Sequence, residues 1–248
     1  LPDPAIICPT HGRAGRVHVF DVLPDIPLCV AHSQMPLYRE AYPDAELIVH
    51  PDDVIGIAPK RQWLVDRFTN VMMFDDDVTA IVDMQVPAGE SQKIHDPQKV
   101  RDIVYRLFDM AEDLGVFVCG LSTYADPVLY RPQAPFSLRH MVSGHCLGVR
   151  RNDQLRFPQK SDLLTDDLWI SAMSAYHHRK LLTDNRYGAG VAKTWHETGG
   201  MATHRTWSRV VDNERFLTEL FGDAIRRRKE SARSSLSIEI QLTLQVPW

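Results

Sequence analysis

The run Val71-Met72-Met73-Phe74-Asp75-Asp76-Asp77 is apolar and stops abruptly in three carboxylates. Four apolar residues of strand length read as a core strand of an α/β sheet, and ligands of such sheets bind beyond the carboxyl ends of the strands. Three like charges at a strand tip are costly unless something positive sits among them, and a divalent cation is the natural candidate. At the period of two of a strand, Asp75 and Asp77 point one way and Asp76 the other. Two carboxylates on one side suit a hard ion such as Mg²⁺ or Mn²⁺, which keeps positions open for the oxygens of a diphosphate. The competing reading is a solvated acidic turn that closes the strand.

The elements that must position this tip alternate along the chain. Ala5-Ile6-Ile7-Cys8 is a strand that breaks at Pro9, and the turn over 10–16 leads into a short helix over 17–23. A strand over 28–31, a helix over 35–41, a strand over 46–50 and a helix over 58–68 follow, the last with Trp63, Leu64, Val65 and Phe68 at helical spacing. This βαβαβαβ order with short links specifies a mostly parallel sheet. Beyond Asp77 come a polar loop over 85–96, an amphipathic helix over 97–114, a strand over 116–120, a proline-marked loop over 127–135 and a strand over 145–149. Thr165 reads as the N-cap of a helix running to about His178, with Asp166 and Asp167 in its positive first turn. A further helix starts near Asn213 and closes on Arg226-Arg227-Arg228-Lys229. Residues 237–246 alternate as an edge strand, to pair across a homodimer or to pack back on the domain.

With 248 residues, 44% hydrophobic and 24% charged, the chain is sized to bury a full core in one domain. No apolar stretch approaches the roughly 20 residues that span a membrane, and no charged-then-apolar signal opens the sequence. The first residue is Leu1 and not Met, as in a trimmed chain. Cys8, Cys29, Cys119 and Cys146 each sit in an apolar, strand-like segment without CxxC spacing, and read as reduced core residues of a cytoplasmic protein. The net charge of -4 hides an asymmetry: residues 1–130 carry 10 Lys/Arg against 20 Asp/Glu, and residues 131–248 carry 18 against 12. Within 131–160 the single acid Asp153 faces Arg131, Arg139, Arg150, Arg151, Arg156 and Lys160, a segment able to grip a polyanion or to serve as an ordinary solvated face. Tyr130, Phe136 and Phe157 interleave with these cations.

The strand ending in Pro9-Thr10 with Gly12 and Arg13 after it, the Lys60-Arg61-Gln62-Trp63 helix, Asp75-Asp76-Asp77 and the Thr165-Asp166-Asp167 helix together resemble a GT-A glycosyltransferase over most of the chain. In finer detail, Met73-Phe74-Asp75-Asp76-Asp77, the Lys-Arg-Gln helix and the Thr198-Gly199-Gly200 step are similar to the TET-associated glycosyltransferases. That group is related to the base J glucosyltransferases and is thought to add sugars to hydroxymethylated pyrimidines in phage and eukaryotic DNA.

The resemblance implies a GT-A, Rossmann-like α/β fold with a mostly parallel central sheet flanked by helices. It implies a single domain over 1–235, with a nucleotide-sugar half at 1–84 and an acceptor half at 115–210, and a C-terminal strand or tail at 236–248. The implied reaction moves a sugar from a nucleoside-diphosphate sugar, UDP-sugar by preference, to 5-hydroxymethylcytosine or hydroxymethyluracil in DNA. A protein, glycan or small-molecule acceptor, a sugar nucleotidyltransferase and a non-catalytic binding module are the alternatives. Asp75 and Asp77 would hold Mn²⁺ or Mg²⁺ to clamp the diphosphate, with His196, or else His204, as a further ligand. Pro9, Thr10, Gly12, Arg13, Arg16, Lys60, Arg61, Asp75, Asp76, Gly199 and Gly200 would contact the donor, Asp76 through a ribose or sugar hydroxyl. A first-turn carboxylate would take the proton of the acceptor hydroxyl, Asp167 in preference to Asp166. Arg131, Arg139, Arg150 and Arg151 would grip acceptor DNA. The expected place is the cytoplasm, that of an infected host if the chain is phage-encoded.

Overall fold

The computed structural model of the chain describes residues 2–87, 92–192, 206–227 and 242–245. Its core is a mixed sheet in the order β3-β2-β1-β4-β9-β7-β10-β5-β6, with β8 paired to β10. The strands are β1 (Ala5–Pro9), β2 (Leu28–Ala31), β3 (Leu47–His50), β4 (Asn70–Phe74), β5 (Val78–Asp83), β6 (Lys93–Ile94), β7 (Val118–Ser122), β8 (Phe136–Ser137), β9 (Cys146–Arg150) and β10 (Leu182–Val191). The first four form the expected parallel block, ordered β3-β2-β1-β4. Strand β9 runs antiparallel between β4 and β7, β10 lies parallel to β7, and β5 and β8 run antiparallel to β10. By direction, β1, β2, β3, β4, β6, β7 and β10 run one way and β5, β8 and β9 the other.

Strand β4 shows why such a strand is apolar throughout. It is buried over its whole length: Met72 and Phe74 enter one core, and Val71 and Met73 the other. The helices are α1 (Met35–Ala41), α2 (Ile57–Arg67), α3 (Pro97–Asp113), α4 (Asp166–His178) and α5 (Trp207–Phe221). Helix α3 covers the first face through Val100, Ile103, Val104, Leu107 and Phe108; α2 and α4 cover the second through Leu64, Val65, Leu168, Ile170 and Ala175. A strand buried on both faces has no polar side to show until it leaves the sheet, so its first charges, Asp75 to Asp77, fall at its carboxyl end.

Several expectations are corrected. The helix over 17–23 is one 3-10 turn, His18–Asp21. Helix α5 closes at Phe221, where Gly222 takes a left-handed φ of 53°, so Arg226 and Arg227 lie in a strand and do not cap that helix. That strand, β11 (Ile225–Arg227), pairs antiparallel with β12 (Leu242–Leu244) of the same chain. Ile225, Leu244 and Leu217 are buried in the α4 side of the core, so the tail strand packs back on the domain. The four cysteines are free and buried. Among the described residues no helix is long and apolar enough to cross a membrane.

Candidate active site

The pairing of β4 with β9 builds the site. Phe74 stands opposite Cys146, and the Asp75 amide donates to His145 O at 3.1 Å, so the residue before β9 is carried to the acidic tip. The Nδ1 of His145 lies 3.6 Å from Asp75 Oδ2 and 4.0 Å from Asp77 Oδ1, too far for a hydrogen bond to either. One ligand atom from each of the three residues lies within 4.8 Å of the others. Two ligands each about 2.1 Å from one ion stand at most about 4.2 Å apart, so the His145 to carboxylate spacings suit a shared cation. The donor set of two carboxylates and one imidazole fits a divalent ion.

The charges of the cluster are mutually adjusted. Burial alone would raise Asp75, but the Arg61 guanidinium and His145 hold its carboxyl below the usual range. Burial works against a charged His145, yet Asp75 and Asp77 keep its pKa above the ordinary value of 6.5. Strand β10 closes the other side, where the Ala192 amide donates to Asp77 O at 2.8 Å.

Asp76 turns the opposite way, as the strand period requires. Its Oδ2 accepts from Thr10 Oγ1 at 2.6 Å, and its Oδ1 lies 3.6 Å from Arg13 Nε. Burial pushes this carboxyl up to about 7, against the opposing pull of Thr10 and Arg13. Thr10 also meets Tyr38 Oη at 2.8 Å, and that hydroxyl accepts from the Arg13 amide. The turn after β1 is thereby fixed to α1 and to the acidic tip. Gly12 holds a left-handed φ of 65° there, its amide donates to Gln34 Oε1, and its carbonyl accepts from Arg16.

Lys60 and Arg61, expected to contact the donor, are buried in α2. Lys60 Nζ donates to Thr10 O at 2.6 Å, and burial lowers its pKa. Arg61, 1% exposed, donates through Nη2 to Asp75 Oδ1 at 2.7 Å and to Gly144 O at 3.0 Å, and its Nη1 stands 2.8 Å from Asp166 Oδ2. Burial opposes its charge, but Asp166 and Asp75 more than offset that and raise its pKa.

The two first-turn carboxylates of α4 separate cleanly. Asp166 is buried against Arg61, and burial raises its pKa. Asp167 is partly exposed: Oδ2 accepts from the Gly144 amide at 3.0 Å and Oδ1 from the Leu168 amide at 2.8 Å. Thr165 occupies the N-cap position without a capping bond, and its Oγ1 accepts from Asn213 Nδ2.

The candidate acceptor arginines fall into two groups. Arg131 and Arg139 are exposed on the connection from Ser122, at the end of β7, to Cys146, at the start of β9, and both of those ends lie at the cluster's end of the sheet. Arg150 pairs with Asn70 at the opposite end of β4. There it donates to Ala111 O and Val116 O, while Arg151 donates to Asp66 O. The structure does not bring these two to the carboxylates. His196, His204, Gly199 and Gly200, with Arg228 and Lys229, lie outside the described residues.

Sequence reasoning does not single out His145 as a ligand. A histidine placed immediately before a buried strand was the available signal, but only the antiparallel pairing to β4 gives it meaning.

Known proteins bear on this arrangement. The comparison with curated proteins found no match. Among solved structures, CMP:2-keto-3-deoxy-manno-octonic acid synthetase complexed with CTP is similar at 12% identity and a TM-score of 0.39, over 74% of this chain and 89% of that one. The TET-associated glycosyltransferase family matches residues 5–200. That match runs from β1 through the acidic tip, His145 and the Asp166-Asp167 helix, and the chain belongs to the TET-associated glycosyltransferases and is a glycosyltransferase.

Proposed function

We propose that this glycosyltransferase moves a sugar from a nucleoside-diphosphate sugar, with UDP as the nucleotide, to the hydroxymethyl group of a modified pyrimidine in DNA. The observation that carries the reading is the convergence of Asp75, Asp77 and His145 with Asp167, joined through Gly144, at the carboxyl ends of β4 and β1. Asp75, Asp77 and His145 would hold a divalent cation, with His196 as a further candidate ligand, and the imidazole nitrogen would favour Mn²⁺ over Mg²⁺. When bound, the cation offsets the charge that grows on the leaving diphosphate.

The protein's own groups do the rest. The nucleoside lies along the turn after β1, where Gly12, Gln34, Leu37 and Tyr38 line a cavity of about 570 Å³. Asp76, tied to Thr10, faces this side and orients a donor hydroxyl. Asp167 takes the proton of the acceptor hydroxyl, since it is the more open of the two carboxylates and is aimed by two backbone amides. Arg131 and Arg139, with Tyr124 and Phe136 exposed on the same connection, meet the DNA backbone and a displaced base.

The test is Mn²⁺-dependent release of UDP from UDP-sugars in the presence of hydroxymethylated oligonucleotides, comparing the natural chain with Asp77→Asn. Release that requires both the metal and the hydroxymethyl group, and that the variant lacks, is expected. Equal release with unmodified DNA, or with a glycan or peptide alone, would overturn the acceptor, and unchanged release by Asp77→Asn would overturn the metal assignment.

A further inference from the structure

Arg61 is a full charge buried in helix α2, and it lies between the two carboxylate pairs of the site. Its fork has three attachments: Asp75 Oδ1 at 2.7 Å, Gly144 O at 3.0 Å and Asp166 Oδ2 at 2.8 Å. Each matters to a different part of the site. With Oδ1 of Asp75 taken by Arg61, the Oδ2 of the same carboxylate is left facing His145. The bond to Gly144 O fixes the peptide just ahead of His145, and the Gly144 amide in turn donates to Asp167 Oδ2 at 3.0 Å. Asp166 shares the cation with Asp75, so Asp75 is not wholly neutralised and keeps its capacity for a metal.

We propose that Arg61 is a positioning residue, held by Asp166, that fixes the metal-side carboxylate Asp75 and the acceptor-side carboxylate Asp167 in one spatial relation and touches neither donor nor acceptor. The inference rests on the glycosyltransferase reading with a cation at Asp75, Asp77 and His145. A planar guanidinium can hold two hydrogen-bond acceptors and the paired Asp166 carboxylate in one fixed arrangement, whereas an ammonium is a point charge on a flexible stem, so lysine keeps the charge here and loses the geometry. Removing the negative charge of Asp166 leaves Arg61 to settle on Asp75 alone, where it competes with the metal.

Both changes therefore weaken metal binding before any substrate is present. Arg61→Lys and Asp166→Asn are each titrated with Mn²⁺ alone, the free ion being followed by electron paramagnetic resonance, with circular dichroism to establish the fold. Asp166→Asn preserves size while removing the charge, and keeps the test open if the arginine variant does not fold. The expected result is a Kd for Mn²⁺ raised about tenfold or more in the folded variant, as for other groups that orient a metal ligand, with kcat lowered and the acceptor KM unchanged. A folded variant with natural Mn²⁺ affinity and kcat would overturn the proposal alone. A natural chain that binds no Mn²⁺ would overturn the metal reading and this inference with it.

Discussion

Gly144→Ala probes the narrowest point of the site. Gly144 passes between Arg61 and Asp167, accepting from Arg61 Nη2 and donating to Asp167 Oδ2, both at 3.0 Å. A methyl group added there would stand 3.1 and 3.2 Å from the two terminal nitrogens of Arg61 and 3.5 Å from Asp167 Oδ2. The first two contacts are a few tenths of an ångström too close. The guanidinium has little room to withdraw, since Asp75 and Asp166 hold it and it is fully buried. Overpacking of this kind costs about 1–3 kcal/mol. The larger effect falls on turnover: a shift of a few tenths of an ångström tilts Asp75 and Asp167 together, and since a misplacement of about 1 Å costs about 10²-fold, the rate should fall up to about tenfold. Denaturant midpoints and UDP release at saturating donor measure the two losses. Turnover within about twofold of the natural chain, with an unchanged midpoint, would show that the contact positions nothing.

Other outcomes follow from the same geometry. Asp167→Asn keeps an oxygen for only one of the Gly144 and Leu168 amides and cannot take a proton, so turnover should fall about 10²-fold or more while stability falls by about 1 kcal/mol; a greater loss of turnover in Asp166→Asn at natural Mn²⁺ affinity would make Asp166 the base. Arg150→Met removes a cation that ties Ala111 O to Val116 O, and should destabilise the fold by about 2 kcal/mol while leaving the salt dependence of DNA binding unchanged. Arg131→Glu and Arg139→Glu should each reduce the slope of log affinity against log salt by about one unit, and an unaltered slope would remove them from the DNA interface. Burial, reinforced by Lys60, holds the pKa of His50 below 6.5, so the unfolded chain binds a proton that the folded one refuses. Stability should therefore be lost as the pH falls below about 6.5, by at most about 1.4 kcal/mol per pH unit for this one proton; His50→Gln should flatten that slope in denaturant titrations, and an unchanged slope would refute the assignment.

Much of the frame is legible in the sequence because the governing signals are local. Apolar runs mark β1, β2, β3, β4 and β9, and helical spacing marks α1 to α4 to within a residue or two. What eludes sequence reading depends on pairing and burial. Strand β10 carries Thr183-Asp184-Asn185-Arg186 and a register shift between Asp184 and Gly188, so neither an apolar run nor a clean alternation announces it. The antiparallel insertion of β9 is invisible without its partners, and with it the approach of His145 to Asp75. The burial of Arg61, expected as a donor contact, is not legible because α2 buries Lys60, Arg61 and Gln62 together with Leu64 and Val65, which blurs the amphipathic pattern. Arg150 looks like a phosphate ligand by type, yet its place at the far end of β9 gives it carbonyls to hold.

The central claim is transfer of a sugar to a hydroxymethylated pyrimidine in DNA, and the most direct measurement is made on the DNA itself. Duplex and single-stranded oligonucleotides containing 5-hydroxymethylcytosine, hydroxymethyluracil or only unmodified bases are incubated with the protein, Mn²⁺ and a panel of nucleotide sugars, then digested to nucleosides and weighed by mass spectrometry. A gain of one sugar residue on a hydroxymethylated nucleoside is expected, with a UDP-sugar as donor and only when Mn²⁺ is present. Nucleosides of unchanged mass under every donor, alongside a sugar found on a protein or a small hydroxylated acceptor, would contradict it.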